Sequence, residues 1–233
     1  SKVSSPFDIF LSVAVPNERK VFEIPEGVET IAEYAFHRCE KIRKVVFPST
    51  LKTVKSGAFD WAYKLSEVVL NDGLEVIEDS FARTDIRTVQ LPESVTQATF
   101  HETRLRYVAL PEAYTGRVSF WDHYDSLVSV YIPKGVSKIG CGAFEYSNSL
   151  TDIYFGGTQE EWENFIQCTC NPEVYDICDS PIITATIHYN HIHTLDRYYV
   201  VKAATPDSKG IADHACVCGY SIREEYEYEP NTK

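Results

Sequence analysis

Short apolar runs recur along the chain, each closed by a proline or by a residue standing in its place. Ile24-Pro25, Phe47-Pro48, Leu91-Pro92, Leu110-Pro111 and Ile132-Pro133 superpose, with Leu70-Asn71 and Phe155-Gly156 as substitutes. Positions 25, 48, 71, 92, 111, 133 and 156 are 23, 23, 21, 19, 22 and 23 residues apart. A phenylalanine moves in step, at Phe36, Phe59, Phe81, Phe100, Phe120 and Phe144, and alanine precedes it at Ala35, Ala58 and Ala143. The fullest unit reads Ile42-x-x-Val45-x-Phe47-Pro48-x-x-Leu51-x-x-Val54-x-x-x-Ala58-Phe59.

The Val45-x-Phe47 alternation has the two-residue period of a half-buried strand, which turns Val45 and Phe47 inward and Val46 outward. Proline has no N–H to donate and ends the ladder. Leu51 and Val54 then anchor a second short segment, and the Ala-Phe pair places a ring between neighbouring units. One unit of this size cannot bury its own apolar side, whereas stacked units share a continuous core. The pattern therefore predicts a solenoid. The copy between Pro92 and Pro111 is short, and the next replaces its middle with Ala113-Tyr114-Thr115-Gly116-Arg117. A pinch, with irregular and partly exposed backbone over 98–125, is expected there.

The unit resembles the BspA-type leucine-rich repeats of bacterial surface proteins. Glu26-Gly27-Val28-Glu29-Thr30-Ile31, leading to Ala35-Phe36 and Cys39, matches it nearly throughout, as does Lys134 to Ile139 leading to Ala143-Phe144. The resemblance runs from about Val21 to Tyr189. It implies a β-rich α/β fold: a right-handed leucine-rich-repeat solenoid with a parallel sheet on its concave face and short helical or 3-10 turns. The expected organisation is a covering segment over 1–20, six to seven divergent units over 21–157, a cap over 158–190 and a small β-rich module over 191–233. In the cap, Thr158 and Glu161 have capping-box spacing, and Trp162 and Phe165 share one helical face. His193 to Glu229 resembles a module that often trails such arrays, although Pro206 stands where that module usually has cysteine.

A net charge of −12 argues against a nucleic-acid partner, which calls for a basic stripe. No apolar run approaches the roughly 18 residues of a membrane span. The absence of methionine reads as a processed or trimmed chain, compatible with a removed secretion signal. Seven cysteines leave at least one unpaired within a single chain. Nothing groups a nucleophile with a base, and Gly-x-Ser-x-Gly, His-Glu-x-x-His and phosphate-loop motifs are missing, so no catalysis is expected. The expectation is likewise no cofactor and no metal. The alternative is a zinc site drawn from His188, His191, His193, His214, Cys216 and Cys218, with His191, His214, Cys216 and Cys218 foremost, against which the Cys-x-Cys spacing counts.

Outward strand positions should align across units at about 4.8 Å. One row reads Val46, Val69, Gln90, Ala109, Tyr131, Tyr154, and its neighbour Lys44, Glu67, Thr88, Tyr107, Ser129, Asp152. Tyr107, Tyr131 and Tyr154, with Lys44, Glu67 and Gln90, form the candidate ligand surface, since tyrosine suits interfaces. Trp121 and Tyr124 form a second candidate patch. The family resemblance implies a secreted or surface-displayed binding module for a protein of a host or neighbouring cell. The competing readings are a structural or accessory spacer of a larger secreted protein and a glycan-binding module.

Overall fold

The computed structural model describes residues 20–120, 125–139, 143–165 and 184–229. The covering segment expected over 1–20 lies outside these residues but for Lys20, as do Trp121, Tyr124 and Cys141, Cys168, Cys170 and Cys178. In chain order the solenoid strands are β1 (Val21–Glu23), β2 (Thr30–Ile31), β3 (Lys44–Val46), β4 (Thr53–Val54), β5 (Glu67–Val69), β6 (Val76–Ile77), β7 (Gln97–Ala98), β8 (Tyr107–Ala109), β9 (Arg117–Val118), β10 (Ser129–Ile132), β11 (Lys138–Ile139) and β12 (Asp152–Phe155). Each coil thus tends to carry a longer strand before its proline position and a two-residue strand after it. The longer strands pair in parallel as β1-β3-β5 and β8-β10-β12, the latter extended by β13 (Thr186–His188). The short ones pair as β2-β4-β6-β7 and β9-β11. The second face is therefore also sheet, because Thr30-Ile31 and its equivalents lie extended beside one another.

Main-chain hydrogen bonds tie coil to coil at one repeated position. The N–H of Lys52 donates to Glu29 O (2.8 Å), Glu75 to Lys52 (2.9 Å), Thr96 to Glu75 (3.0 Å), Thr115 to Thr96 (3.2 Å) and Ser137 to Thr115 (3.2 Å). The ladder passes unbroken through the 19-residue copy. Inside it, the landmark phenylalanines stack face to face: Phe36 on Phe59 at 4.9 Å, Phe59 on Phe81 at 5.3 Å, then Phe100 on Phe120 at 6.2 Å and Phe120 on Phe144 at 5.8 Å. Between Phe81 and Phe100 the stack is interrupted, and in that coil Thr88 makes only an isolated bridge to Tyr107. That is the pinch. Over 98–120 the chain carries only short strands and is partly exposed, at Arg104, Arg106, Tyr107, Glu112, Ala113, Thr115 and Arg117, yet its apolar positions reach the core. Ala98, Phe100, Leu105, Val108, Leu110, Val118 and Phe120 are all buried.

Tyr114 explains the recovery. It occupies the slot held by Leu51 and Leu74 in earlier coils, three residues after the proline position. Its hydroxyl shares its one proton between Ala98 O (2.8 Å) and Arg117 O (3.0 Å) and accepts from Ala98 N–H (3.1 Å). The phenol thereby satisfies backbone that the truncated coil leaves without a partner strand residue. Gly116 permits the approach, since a Cβ there would meet the Tyr114 hydroxyl at 2.9 Å.

The residue two after the landmark phenylalanine is left-handed in five coils: Arg38, Trp61, Arg83, Glu102 and Tyr146. Each such residue costs about 1–2 kcal/mol, offset here by inter-coil bonding of the same backbone. Arg38, Trp61 and Arg83 donate their N–H groups to Asp60, Ala82 and Glu102 carbonyls at 2.8–2.9 Å. The Trp61 indole sits between the guanidinium groups of Arg38 (5.3 Å) and Arg83 (4.0 Å), a cation–π sandwich. The neighbouring Asp60 carboxylate accepts from Ala82 N–H (3.0 Å). Burial, with smaller contributions from Asp79 and Glu102, nevertheless pushes its pKa up to about 6.

Two predictions follow from these contacts. Tyr114→Phe removes the hydroxyl that serves three backbone groups and should cost about 1–3 kcal/mol in urea unfolding, whereas an unchanged midpoint would show that the backbone is satisfied without it. For Asp60, a folded pKa above the unfolded value of 3.8 means that folding takes up a proton between about pH 4 and 6. Its contribution to stability is full below pH 4 and falls away as pH rises through 6. Asp60→Asn should flatten that part of the melting-temperature profile, measured by circular dichroism against pH.

Candidate functional site

The last coil is closed by α1 (Gln159–Phe165), a helix opened by a reciprocal capping box. Thr158 N–H donates to the Glu161 carboxylate (2.7 Å), and Glu161 N–H donates to Thr158 Oγ1 (3.2 Å). Its buried Trp162 packs edge-on against Phe155 at 5.2 Å, with Phe165 on the same ring at 5.9 Å. From β13 the chain turns at Asn190, whose N–H donates to Gly157 O (2.8 Å), and His191 N–H donates to Phe155 O (3.0 Å). These bonds lead the chain back over the longer-strand face. There it forms an antiparallel sheet of β14 (Arg197–Lys202), β15 (Gly210–Ala215) and β16 (Ser221–Tyr226).

The turn between β15 and β16 docks on the solenoid. Cys216 N–H donates to Tyr220 O (2.8 Å), Gly219 N–H donates to Cys216 O (3.1 Å), and Gly219 adopts φ +97°. A side chain at Gly219 would be crowded against Tyr107, 3.1 Å from its Cβ. Gln90 reaches up to donate its amide to Ser221 O (2.6 Å) and Ser221 Oγ (3.1 Å), and the Tyr220 hydroxyl donates to Glu93 (3.4 Å). Beneath the turn, Tyr131, Tyr154, Cys216 and Cys218 form one buried cluster, bordered by Ala109 and Tyr220.

The candidate tyrosines therefore have different fates. The register is as the sequence pattern implies, with Tyr131 opposite Ala109 and Tyr154, and Tyr107 opposite Ser129. Yet Tyr131 is 1 % and Tyr154 8 % exposed, because the tail module covers them, while Tyr107 remains 39 % exposed. Tyr131 and Tyr154 are thus a docking surface for this chain's own tail, and the expectation that they face an open concave sheet is corrected. Gln90 is engaged by the tail as well. Lys44 and Glu67 pair across coils at 2.6 Å and remain partly solvated.

Around this cluster four side chains converge. His191 Nε2 lies 3.3 Å from Cys216 Sγ, and His193 Nδ1 lies 3.2 Å from Cys218 Sγ. One ligand atom from each of the four falls within 4.8 Å of every other. Aromatic rings enclose them: Tyr131 edge-on to His193 at 4.2 Å, Tyr220 stacked on His193 at 4.1 Å, and Tyr154 tilted against His191 at 4.7 Å. The Tyr131 hydroxyl donates to the Glu112 carboxylate. Burial, reinforced by Glu112, holds Tyr131 well above its ordinary pKa.

Burial also holds both imidazoles below their ordinary value, with the charges of His188 and His191 adding to the effect on His191 and His193 respectively. It pushes the Cys218 thiol up to about 12. For Cys216 burial acts the same way, but hydrogen bonds from Cys218 and Thr194 outweigh it and leave that thiol below its usual value.

His214, one of the foremost zinc candidates in the sequence, is not in this group, and neither is His188. His214 lies on β15 with Nε2 2.6 Å from Glu224 on β16, and its ring is edge-on to Tyr198. His193 takes its place. The spacing that signals this arrangement is the equal separation of the two pairs: His191 to Cys216 and His193 to Cys218 are both 25 residues.

A second polar grouping joins three coils. His101 Nδ1 lies 3.0 Å from Asp79 Oδ2, and His101 Nε2 lies 3.0 Å from Ser119 Oγ. Asp, His and Ser in this order form the proton relay of many hydrolases, a convergence that no local spacing in the sequence discloses. Asp79 also receives the His101 N–H at 3.2 Å, so the carboxylate binds both ends of the histidine and stitches coil to coil.

Parallel sheets on two faces of a coil stack, a shared phenylalanine column and a capped last turn define a leucine-rich-repeat solenoid. The chain belongs to the BspA-type leucine-rich-repeat family: the model of the BspA type leucine rich repeat region matches six copies over residues 17–120 and 115–185. Solved structures agree on the fold. The pneumococcal vaccine antigen PcpA is similar with a TM-score of 0.57 at 16 % identity, over 75 % of this chain and 42 % of that one. The leucine-rich-repeat protein of T. pallidum scores 0.50 at 23 % identity over 59 % and 70 %, and one from Bacteroides ovatus 0.50 at 21 % over 57 % and 39 %. This chain spans less than half of the pneumococcal protein's length. No curated protein sequence matches it. Leucine-rich-repeat domains are generally protein-interaction modules without catalysis of their own. Among the described residues no helix is long and apolar enough to cross a membrane.

Tyr131→Ala should lower stability by about 3 kcal/mol through lost burial and release the tail. Limited proteolysis would then cut between residues 194 and 210 at protease concentrations that leave the parent intact. Unchanged protection would mean that the tail is held from elsewhere.

Proposed function

We propose that this chain is a protein-binding module displayed on or secreted from a bacterial cell, and that its partner is a protein of a host or a neighbouring cell. The family supports the binding role, and the surface location of BspA-type proteins, together with the fold shared with a pneumococcal vaccine antigen, supports the setting. The observation that carries the choice of surface is the division of the longer-strand face. The tail covers the later coils at Tyr131 and Tyr154, while the first coils leave Val21 46 % exposed, beside Glu23, Lys44 and Val46. Tyr107 stands at the border between the two regions, and Glu67 lies within electrostatic reach of Arg223 on β16. The partner is proposed to rest on these open strands and abut the tail, with Tyr107 as its aromatic anchor. The acidic balance of the chain favours a partner with a basic surface. Adhesion is the cell-level outcome of such binding.

The test is a biolayer-interferometry screen against host matrix proteins and surface proteins of co-resident bacteria, with a glycan array beside it. For a bound protein, Tyr107→Ala and Glu23→Lys should each weaken affinity by about tenfold, or 1.4 kcal/mol, with melting temperature nearly unchanged. Full affinity in both variants would place the site elsewhere. Binding to glycans alone would favour a carbohydrate module.

A further inference from the structure

We propose that His191, His193, Cys216 and Cys218 form a tetrahedral zinc(II) site that locks the tail module into the fold. Two nitrogens and two sulfurs are the donor set of structural zinc sites. Zn–N near 2.05 Å and Zn–S near 2.3 Å at tetrahedral angles put neighbouring N and S atoms about 3.6 Å apart. The two N···S separations here are 3.3 and 3.2 Å, and all four donor atoms lie within 4.8 Å of one another. Binding one ion thus needs the two close N···S pairs to open by about 0.3–0.4 Å and the widest donor separation to close by about 1 Å, within the reach of side-chain adjustment. The donors come as two x-separated pairs on facing segments, so each segment offers one nitrogen pair or one sulfur pair to the same point.

The surroundings are those of a closed structural site. Both cysteines are buried, at 2 % and 0 % exposed. Cys216 receives hydrogen bonds from Thr194 and Cys218, the kind of support that fixes metal-bound thiolates. The remaining nitrogen of His193, Nε2, is buried and has no hydrogen-bond partner, and the nearest carboxylate oxygen, Glu112 Oε1, lies 3.8 Å away. With Nδ1 on zinc, Nε2 carries the proton and points toward that carboxylate, the carboxylate–histidine–metal arrangement. The Glu112 carboxylate also takes the Tyr131 hydroxyl, so the metal's outer shell is built from solenoid residues. Two neutral imidazoles and two thiolates balance the ion's charge, which suits a pocket walled by Tyr131, Tyr154 and Tyr220. The closed set of four protein donors makes the role structural, with no position left for substrate.

The consequence is that the cover over Tyr131 and Tyr154 depends on metal. Protein purified without chelator should carry about one equivalent of zinc by elemental analysis. The double variant Cys216→Ser, Cys218→Ser should retain under about a tenth of that, while Cys39→Ser, remote from the site, keeps it. A high-affinity chelator should lower the parent's melting temperature and open the 194–210 segment to protease without unfolding the repeats. Should the double variant fail to fold, cobalt(II) added to chelator-stripped parent gives the second reading: intense tetrahedral d–d bands with a thiolate-to-metal charge-transfer band support the site. Three results would overturn the proposal: no metal in the purified parent and octahedral cobalt only, a Cys216–Cys218 disulfide by mass, or a stoichiometric metal other than zinc. None of these readouts involves the protein partner, so their failure is separate from failure of the binding role.

Discussion

The main-chain ladder from Glu29 through Lys52, Glu75, Thr96 and Thr115 to Ser137 is the constraint to which the rest of the molecule conforms. A coil of 19 to 23 residues has too little interior to exclude water from its own peptide groups and apolar side chains. Each coil therefore borrows donors, acceptors and core from the next. Because the ladder fixes the rise between coils, any change in unit length has to be absorbed within the coil. The chain does so by breaking the phenylalanine stack between Phe81 and Phe100 and the longer-strand sheet at Thr88, just before the short copy, and Tyr114 of the following coil restores what the backbone lacks.

The same ladder imposes a column of left-handed residues after the phenylalanines. In other proteins glycine usually fills such positions. Here Arg38, Trp61, Arg83 and Glu102 fill them, and the side chains that glycine would forgo line up into contacts between coils: two guanidinium groups on one indole, and Arg83 on Glu102 at 2.6 Å. Local strain at one atom is thus exchanged for contact along the axis.

A stack of coils has two ends and two faces, and the described residues of 159–165 and 184–229 serve one of each. The capped helix seals the last coil with Trp162. The tail then folds back over the sheet, where Cys216 and Cys218 sit on Tyr131 and Tyr154. This divides the longer-strand face into a covered half and an open half. It also gives the histidine and cysteine pairs a dry, aromatic setting that an isolated tail of 40 residues could not build alone.

What the sequence determined by itself was everything that repeats. The period, the parallel register that sets Lys44 beside Glu67 and Tyr131 beside Tyr154, and the apolar columns were all legible, because a nearest-neighbour architecture writes each contact one period apart in the chain. The spacing of Thr158 and Glu161 was legible for the same local reason. What only the tertiary structure decided were contacts with no fixed interval. Gln90 meets Ser221 across 131 residues, and that single return of the chain turns two candidate ligand tyrosines into interior. It also selects His193 over His214, since strand pairing carries His214 to Glu224 while the turn after Asn190 brings His191 and His193 over Cys216 and Cys218. Asp79, His101 and Ser119 meet because three coils of unequal length happen to bring their side chains level. Burial and convergence of this kind depend on how the chain closes on itself, which no periodicity encodes.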